Sequence, residues 1–201
     1  MPATRWCFRP DVHRGPSRVL RLTRWAIGPW NHRPAQETPR HRAYRFTLAV
    51  TRLAVGWIFV WAFLDKLFGL GHETLSKAAW INGGSPTNGF LAHAPKGPFA
   101  SFYNSFAGAA WADWLFMAAL AGIGIALMLG VTMRIAAASG AALLVMMWSA
   151  VLPPANNPFM DDHLIYALVL GVLALTAAGK TLGLGRRWER IPLVTRHGYL
   201  K

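Results

Sequence analysis

The chain has 201 residues, 54% of them hydrophobic, with 21 Lys and Arg residues against 8 Asp and Glu residues and a single cysteine. This length fits one domain, and the apolar fraction is too high for a disordered chain. One cysteine excludes a disulfide framework, a cysteine-rich zinc module and a dithiol relay within the chain.

The positive charge is concentrated at the two ends of the sequence. Residues 1–45 contain ten arginines and residues 180–201 contain six basic residues, whereas five basic residues lie between these ends. A nucleic-acid-binding domain would spread its basic residues over a half-polar folded surface. The apolar middle of the chain instead predicts a membrane protein, whose partner is the lipid bilayer and not nucleic acid.

Residues 1–44 are rich in arginine and proline and contain no apolar stretch long enough for a secretory signal. We expect them to form a disordered basic arm on the cytoplasmic side, held near anionic lipid headgroups. The alternative is a transit peptide, which is also rich in arginine and poor in acidic residues, but which normally contains more serine.

Four apolar segments follow, each near the roughly 20 residues that cross a hydrocarbon core. None alternates polar and apolar residues as a barrel strand does, so they are predicted to be helices. The sequence therefore predicts an all-α membrane protein, with a four-helix transmembrane bundle over 45–178 and a basic cytoplasmic tail over 179–201. The predicted helices cover about 46–66, 111–131, 135–152 and 163–178.

Small residues recur at every fourth position of the second predicted helix, at Ala118, Gly122, Ala126 and Gly130. Such a row lets a neighbouring helix approach closely, which is a main source of packing energy in lipid. The alternative is a general richness in alanine and glycine. We expect this row to lie at a helix–helix interface.

Basic residues at both ends place both termini in the cytoplasm by the positive-inside rule, in agreement with an even number of crossings. The segments 67–110 and 153–163 then lie outside. Because 67–110 is too long for a bare turn, we expect one or two short interfacial helices around Trp80 and 99–106.

Two positions in the first predicted helix need a partner or a role, because ionisable residues are costly within a membrane. Arg52 lies about two turns from the cytoplasmic side and is expected to extend to the inner headgroups. Asp65 and Lys66 close the helix at the outer side, after Trp57 and Trp61 at four-residue spacing. The two tryptophans either lead to the Asp65 carboxylate or belong to an interfacial aromatic belt.

The turn P-P-A-N-N-P-F-M-D-D-H-L carries Asp161, Asp162 and His163. The acids fall where they would cap the fourth helix and stabilise its dipole. With His163 they could instead pass protons or hold a metal. The set is too sparse for a metal site, so we predict none. The topology brings seven ionisable residues to the outer face, as a hypothetical pocket: Asp65, Lys66, His72, Asp113, Asp161, Asp162 and His163.

The first helix, R-L-A-V-G-W-I-F-V-W-A-F-L-D-K-L-F-G, resembles the opening signature of the DoxX/DoxD family, with Arg52, Gly56 and Lys66 at the signature positions. The segments G-S-P-T-N-G-F-L, W-A-D-W-L-F and V-L-P-P-A-N-N-P-F-M-D-D-H-L also resemble members from high-GC Gram-positive bacteria. The resemblance covers about residues 45–195.

The resemblance implies a four-helix protein of the bacterial plasma membrane. The DoxD branch is the membrane subunit of thiosulfate:quinone oxidoreductase, which oxidises thiosulfate to tetrathionate and reduces quinone. Related DoxX members are membrane partners of redox enzymes. The family supplies no secure list of catalytic residues for transfer to this chain.

We therefore expect the membrane subunit of a quinone-linked oxidoreductase, with quinone as electron acceptor, a small sulfur oxyanion as possible substrate and a possible second redox subunit. Asp65 or His163 would take up protons and Lys66 would steady the anion. The pocket would be formed by Trp57, Trp61, His72, Asp113, Asp161 and Asp162. The alternative is a non-catalytic scaffold that holds a redox or stress-response partner. A small transporter has little support, since no duplicated hydropathy unit is visible.

Overall fold

A computed structural model describes residues Thr38–Leu200, and all the regular structure within them is helical. The α-helices are α1 (Pro39–Phe68), α2 (Asn88–His93), α3 (Ala100–Asn104), α4 (Ala110–Leu129), α5 (Met133–Ala150), α6 (Asp162–Leu175), α7 (Gly185–Trp188) and α8 (Pro192–Arg196). Single 3₁₀ turns occupy Ser76–Ala78, Trp80–Asn82, Gly97–Phe99, Ala178–Lys180 and Gly198–Leu200.

Three helices, α1, α4 and α5, are long and apolar enough to cross a membrane. The fourth apolar helix, α6, has 14 residues and is therefore about 21 Å long, shorter than a hydrocarbon core of about 30 Å. The exposed faces of these helices are also apolar, as on α4, where Trp114, Leu115, Ile125 and Leu129 are exposed. Exposed apolar faces of this extent are consistent with a multi-pass membrane protein.

The helix α1 begins earlier than predicted. Thr38 caps it by accepting a hydrogen bond from the backbone N–H of His41 at 3.4 Å, and Pro39 fits the first turn, where no N–H partner is needed. Residues 39–44, expected to be part of the disordered arm, are therefore helical. The remainder of the predicted arm, residues 1–37, lies outside the described residues. The helices α4, α5 and α6 begin and end within three residues of the predicted bounds.

Each long helix packs against the next along the chain, and α6 also contacts α1. The core between them is formed by buried apolar side chains that include Phe59, Met117, Ile123, Leu127 and Leu170. The ends of α1 and α5 and the starts of α4 and α6 thus lie at one end of the bundle. We call this the long-loop end, after the long loop of residues 69–109, and the opposite end the C-terminal end.

The close approach of α1 and α4 depends on Gly124. A Cβ atom at this position would lie 2.9 Å from the backbone nitrogen of Val60, whereas a Cβ atom at Gly122 would meet nothing within 4 Å. The prediction that Gly122 lies at a helix interface is therefore wrong. The interface uses Gly124 and, from α1, Gly56, where an added Cβ would lie 3.0 Å from that of Leu127.

The guanidinium of Arg52 is fully buried at the C-terminal end. Its Nη1 donates to the carbonyl oxygen of Ala178 at 3.2 Å and its Nη2 to that of Leu182 at 2.8 Å. Both carbonyls belong to the segment 176–200 that follows α6, which we call the C-terminal segment. A backbone carbonyl oxygen has two lone pairs and accepts hydrogen bonds from a cationic donor of this kind. The expectation that Arg52 extends to the headgroups is therefore wrong.

Glycines make room for this guanidinium. Gly130 ends α4 with a left-handed backbone (φ +71°), and a Cβ atom there would overlap Arg52 Nη1. At Gly183 a Cβ atom would lie 2.5 Å from the same nitrogen. The backbone at Gly130 and at Gly183 thus packs directly against the guanidinium of Arg52.

The predicted basic tail is folded onto the bundle. The backbone N–H of Leu184 donates to the carbonyl of Leu129 at 2.8 Å, and Arg134 donates to the carbonyl of Gly198 at 2.9 Å. Val194, in α8, is 1% exposed. The C-terminal segment is therefore a packed part of the structure.

Exchanging the two glycines of α4 for alanine should have opposite effects. Alanine favours helix over glycine by up to about 1 kcal/mol, so Gly122→Ala should leave the melting temperature in detergent unchanged or raised. Gly124→Ala should lower it, because overpacking typically costs about 1–3 kcal/mol. Equal melting temperatures for the two variants would contradict the assigned interface.

Replacing Arg52 by methionine should release the C-terminal segment. Two hydrogen bonds from a charged donor are lost, each contributing about 1.5–3 kcal/mol. We expect a lower melting temperature and faster tryptic cleavage after Arg186, Arg187 or Arg190, measured by limited proteolysis and mass spectrometry. The matched control is Arg187→Met, at an exposed position, which should leave cleavage elsewhere in the segment unchanged.

Candidate functional site

The carboxylate of Asp65 organises the turn that follows α1. It is 2% exposed and accepts three backbone N–H bonds, from His72 at 3.3 Å, Glu73 at 3.1 Å and Thr74 at 2.9 Å. The chain reverses at Gly69, whose left-handed backbone (φ +64°) ends α1. Asp65 therefore holds the start of the long loop against the end of its own helix.

The carboxylate of Asp113 anchors a second part of the long loop. Its Oδ1 atom accepts hydrogen bonds from the Ser85 hydroxyl at 2.8 Å, the Thr87 hydroxyl at 2.6 Å and the Thr87 backbone N–H at 3.0 Å. Asp113 is 6% exposed, and so is Thr87. Because Asp113 lies in the first turn of α4, these bonds attach the loop to the beginning of that helix.

The long loop is also attached to α5. The Tyr103 hydroxyl lies 2.6 Å from the Ser149 hydroxyl, and the backbone N–H of Lys96 donates to the carbonyl of Ala150 at 2.9 Å. The loop contains the 3₁₀ turn at Trp80–Asn82 and the helix α3, so the prediction of short helices around Trp80 and within 99–106 is confirmed. The loop forms a folded cap over α1, α4 and α5.

The predicted aromatic residues form a chain along α1. The rings of Trp57 and Trp61 are 5.9 Å apart, and the ring of Trp61 meets that of His72 edge-on at 5.1 Å. Trp57 is half exposed. Next to them, Lys66 Nζ lies 3.6 Å from a carboxylate oxygen of Glu73, which is an ion pair with one exposed partner.

The turn before α6 has a capping role. Asp161 accepts a hydrogen bond from the backbone N–H of Leu164 at 3.2 Å, and its other carboxylate oxygen lies 2.7 Å from His163 Nδ1. Asp162 is exposed in the first turn. Asp161 thus caps α6, which was the first of the alternative roles given for these acids. Within residues 38–200, no three His, Cys, Asp or Glu side chains lie close enough to hold a metal ion.

The predicted site residues therefore lie in separate clusters at the long-loop end. Asp65 and Asp113 bind different parts of the loop, Trp57 and Trp61 lead to His72, and Asp161 pairs with His163. The hydrogen bonds do not join these residues into one common pocket.

A cavity of about 930 Å³ lies beneath the long loop. Its helical lining residues belong to the first half of α4 and the second half of α5. The polar residues that line it include Lys66, Glu73, Thr87, Asn88 and His93. The apolar residues come from the loop, including Leu75, Phe90 and Phe106, and from the two helices, among them Leu115, Phe116, Ala119, Leu143, Met146 and Met147. The cavity is thus amphipathic, as sites for small organic ligands usually are.

Several residues that line the cavity are exposed, on the two helices and on the long loop. Trp111 and Leu115 on α4 and Met146 on α5 line it and are 59%, 64% and 51% exposed, respectively. These three side chains lie on the exposed apolar faces of α4 and α5, whereas Asn88 and His93 line the cavity from the loop and are also exposed. The cavity is therefore accessible from its loop side as well as from its helix side.

Of the nine predicted site residues, Lys66 lines this cavity, and Asp113 supports its wall through Ser85 and Thr87. Sequence reasoning missed Glu73, Asn88 and His93 of the loop, and Met146 and Met147 of α5. The available signal was the polar run S-P-T-N at 85–88, a composition typical of tight turns.

No protein-family model matches the chain. Searches of curated proteins and of solved structures also find no significant match.

Replacing Asp113 by alanine should loosen residues 85–91 without unfolding the bundle. Three donors lose their acceptor, and each buried unsatisfied donor costs about 1–3 kcal/mol. We expect faster hydrogen–deuterium exchange over 85–91. The control Glu73→Gln removes one partner of an exposed ion pair, whose contribution is about 0–1 kcal/mol, and should leave this exchange unchanged. Unchanged exchange in Asp113→Ala would contradict the anchoring role.

Proposed function

We propose that this protein is the membrane subunit of a quinone-linked oxidoreductase and that the cavity beneath the long loop binds the quinone. The observation that carries this proposal is a cavity lined by polar residues of the long loop and by apolar residues of α4 and α5, three of which, Trp111, Leu115 and Met146, are exposed. A quinone has a polar head and an apolar tail and moves within the bilayer. The polar residues of the lining would hold the head, and the exposed apolar residues of α4 and α5 would contact the tail.

We also propose that α6 completes a four-span bundle of the bacterial plasma membrane, with the basic termini in the cytoplasm. This arrangement is supported by the extensive packing of α6 on α5 and by the apolar residues exposed on α6, including Leu168 and Leu175. It is further supported by the basic residues at both ends of the sequence.

Within this proposal, Lys66 and Asn88 donate hydrogen bonds to the quinone oxygens, and His93 supplies protons from the exposed side of the long loop. Reduction consumes two electrons and two protons for each quinone. Asp65 acts as a positioning residue, because its carboxylate is occupied by three N–H donors of the loop. His163 and Asp161 lie outside the cavity wall and stabilise the start of α6.

Thiosulfate is the electron donor that the DoxX/DoxD resemblance favours. Two thiosulfate ions release two electrons and join as tetrathionate. The long-loop end carries Lys66, Lys77 and Lys96 together with five acidic residues, Asp65, Glu73, Asp113, Asp161 and Asp162. This balance disfavours a dianion. We therefore place oxidation of the sulfur anion on a second subunit that passes electrons to the quinone.

Blocking the cavity should abolish quinone binding. Leu143→Trp places a larger side chain in the apolar wall, whereas Val145→Trp, two residues further along α5 and 42% exposed, serves as the matched control. We expect a short-chain quinone to quench tryptophan fluorescence saturably in the parent protein and in Val145→Trp, and to bind at least tenfold more weakly to Leu143→Trp. Absence of saturable binding to the parent protein would refute the quinone site.

A second candidate function is a non-catalytic scaffold for a redox or stress-response partner. It is favoured by apolar side chains exposed in the loops of the long-loop end, including Leu75, Ile81 and Phe159, each more than half exposed. A stoichiometric partner captured without thiosulfate-dependent quinone reduction would support the scaffold over the enzyme.

A further inference from the structure

The C-terminal segment lies at the level where the long helices end. The backbone N–H of Leu184 donates at 2.8 Å to the carbonyl of Leu129, the last residue of α4. Arg134, in the first turn of α5, donates at 2.9 Å to the carbonyl of Gly198. Because α4 and α5 are each long enough to cross a membrane, the short turn between them lies at the edge of the hydrocarbon core. The C-terminal segment is therefore at the membrane surface.

Large apolar side chains are exposed on this segment. Leu182 and Leu193 are 55% and 61% exposed, Tyr199 is 60% exposed, and Leu184 and Ile191 are exposed as well. These side chains lie beyond the ends of the spanning helices, where the surrounding acyl chains do not cover them. Apolar side chains exposed at this density mark an interaction surface.

The same segment is basic, with five basic residues and one acidic residue. The acidic residue, Glu189, forms an ion pair of 2.8 Å with Lys180. Three of the other basic residues are the exposed Arg187, Arg190 and Arg196. Arginines interspersed with exposed aliphatic side chains are typical of an element that lies in the interface of a membrane containing anionic lipids. Charge and apolar surface together favour a lipid surface over an uncharged partner.

The fold holds this surface in one arrangement. Val194, in α8, is 1% exposed, and Trp188 Nε1 donates to the carbonyl of Leu200 at 2.7 Å. Successive residues of an α-helix are about 100° apart around its axis, so Leu193 and Thr195 lie on nearly opposite sides of the helix. The exposed side chains are therefore preorganised for contact, which lowers the entropy cost of docking.

We propose that the C-terminal segment docks on the anionic surface of the bilayer that surrounds the bundle. Its exposed leucine and isoleucine side chains enter the boundary between headgroups and acyl chains, and its exposed arginines contact lipid phosphates. The docking is independent of the quinone cavity, which lies at the opposite end of the helices. It gives the segment a second attachment besides the hydrogen bonds of Arg52.

The test measures the depth of two positions of α8 in nanodiscs that contain phosphatidylglycerol. A nitroxide label is attached to Leu193→Cys or, as the matched control, to Thr195→Cys, each in the full chain with Cys7→Ser. Both side chains are exposed, so neither substitution disturbs the core. We expect the label at 193 to collide mainly with oxygen, which concentrates in lipid, and the label at 195 to collide with a neutral nickel complex, which stays in water. Equal access of the nickel complex to both labels would leave the face to a soluble partner and overturn membrane docking.

The lipid charge is tested with the same label at 193. Replacing phosphatidylglycerol by phosphatidylcholine should increase its collisions with the nickel complex. Arg190→Gln should lower the ratio of inserted to water-exposed label about fivefold in phosphatidylglycerol, since one basic residue near an anionic surface contributes about 1 kcal/mol. The control Lys77→Gln, at an exposed position of the long-loop end, should leave this ratio unchanged. The same depth in both lipids and in both variants would overturn the role of anionic headgroups.

Discussion

The buried guanidinium of Arg52 is the constraint on which the C-terminal half of the fold depends. A cation in an apolar bundle needs acceptors, and the chain provides them from backbone carbonyls 126 and 130 residues further on. Those carbonyls point inward because the chain turns sharply after α6. Glycine at 130 and 183 leaves the required space. One ionised side chain thereby determines where α4 ends and how the C-terminal segment folds.

The helices could be predicted from the sequence because hydropathy is a local property. The start of α1 was missed because the cap at Thr38 and Pro39 lies among charged residues, which look like an unstructured arm. The register of the α1–α4 interface was also missed. Gly122 and Gly124 are equally small, and only the direction in which each faces a neighbouring helix distinguishes them. The partner of Arg52 was hidden for a different reason, since backbone carbonyls leave no motif in a sequence.

The cavity is lined by one of the nine predicted site residues, Lys66. The sequence indicated that Asp65 and Asp113 matter at one end of the bundle, and both are buried there. Both carboxylates hold the long loop by accepting hydrogen bonds from backbone and hydroxyl groups. These pairings could not be predicted from the sequence. The cavity depends on the separation of α4 and α5 beneath that loop. Such a space arises from the relative placement of whole elements, which no single segment encodes.

The unequal lengths of the helices have a consequence for the surrounding lipid. Next to α1 the apolar surface extends over a full hydrocarbon thickness, whereas α6 has 14 residues and exposes Leu168, Val172 and Leu175. With α6 as the proposed fourth crossing, the bilayer would have to thin most beside α6. Lipid deformation costs fractions of a kcal/mol per Å. If α6 crosses the membrane as proposed, two molecules that placed their α6 faces in one thinned patch would share this cost.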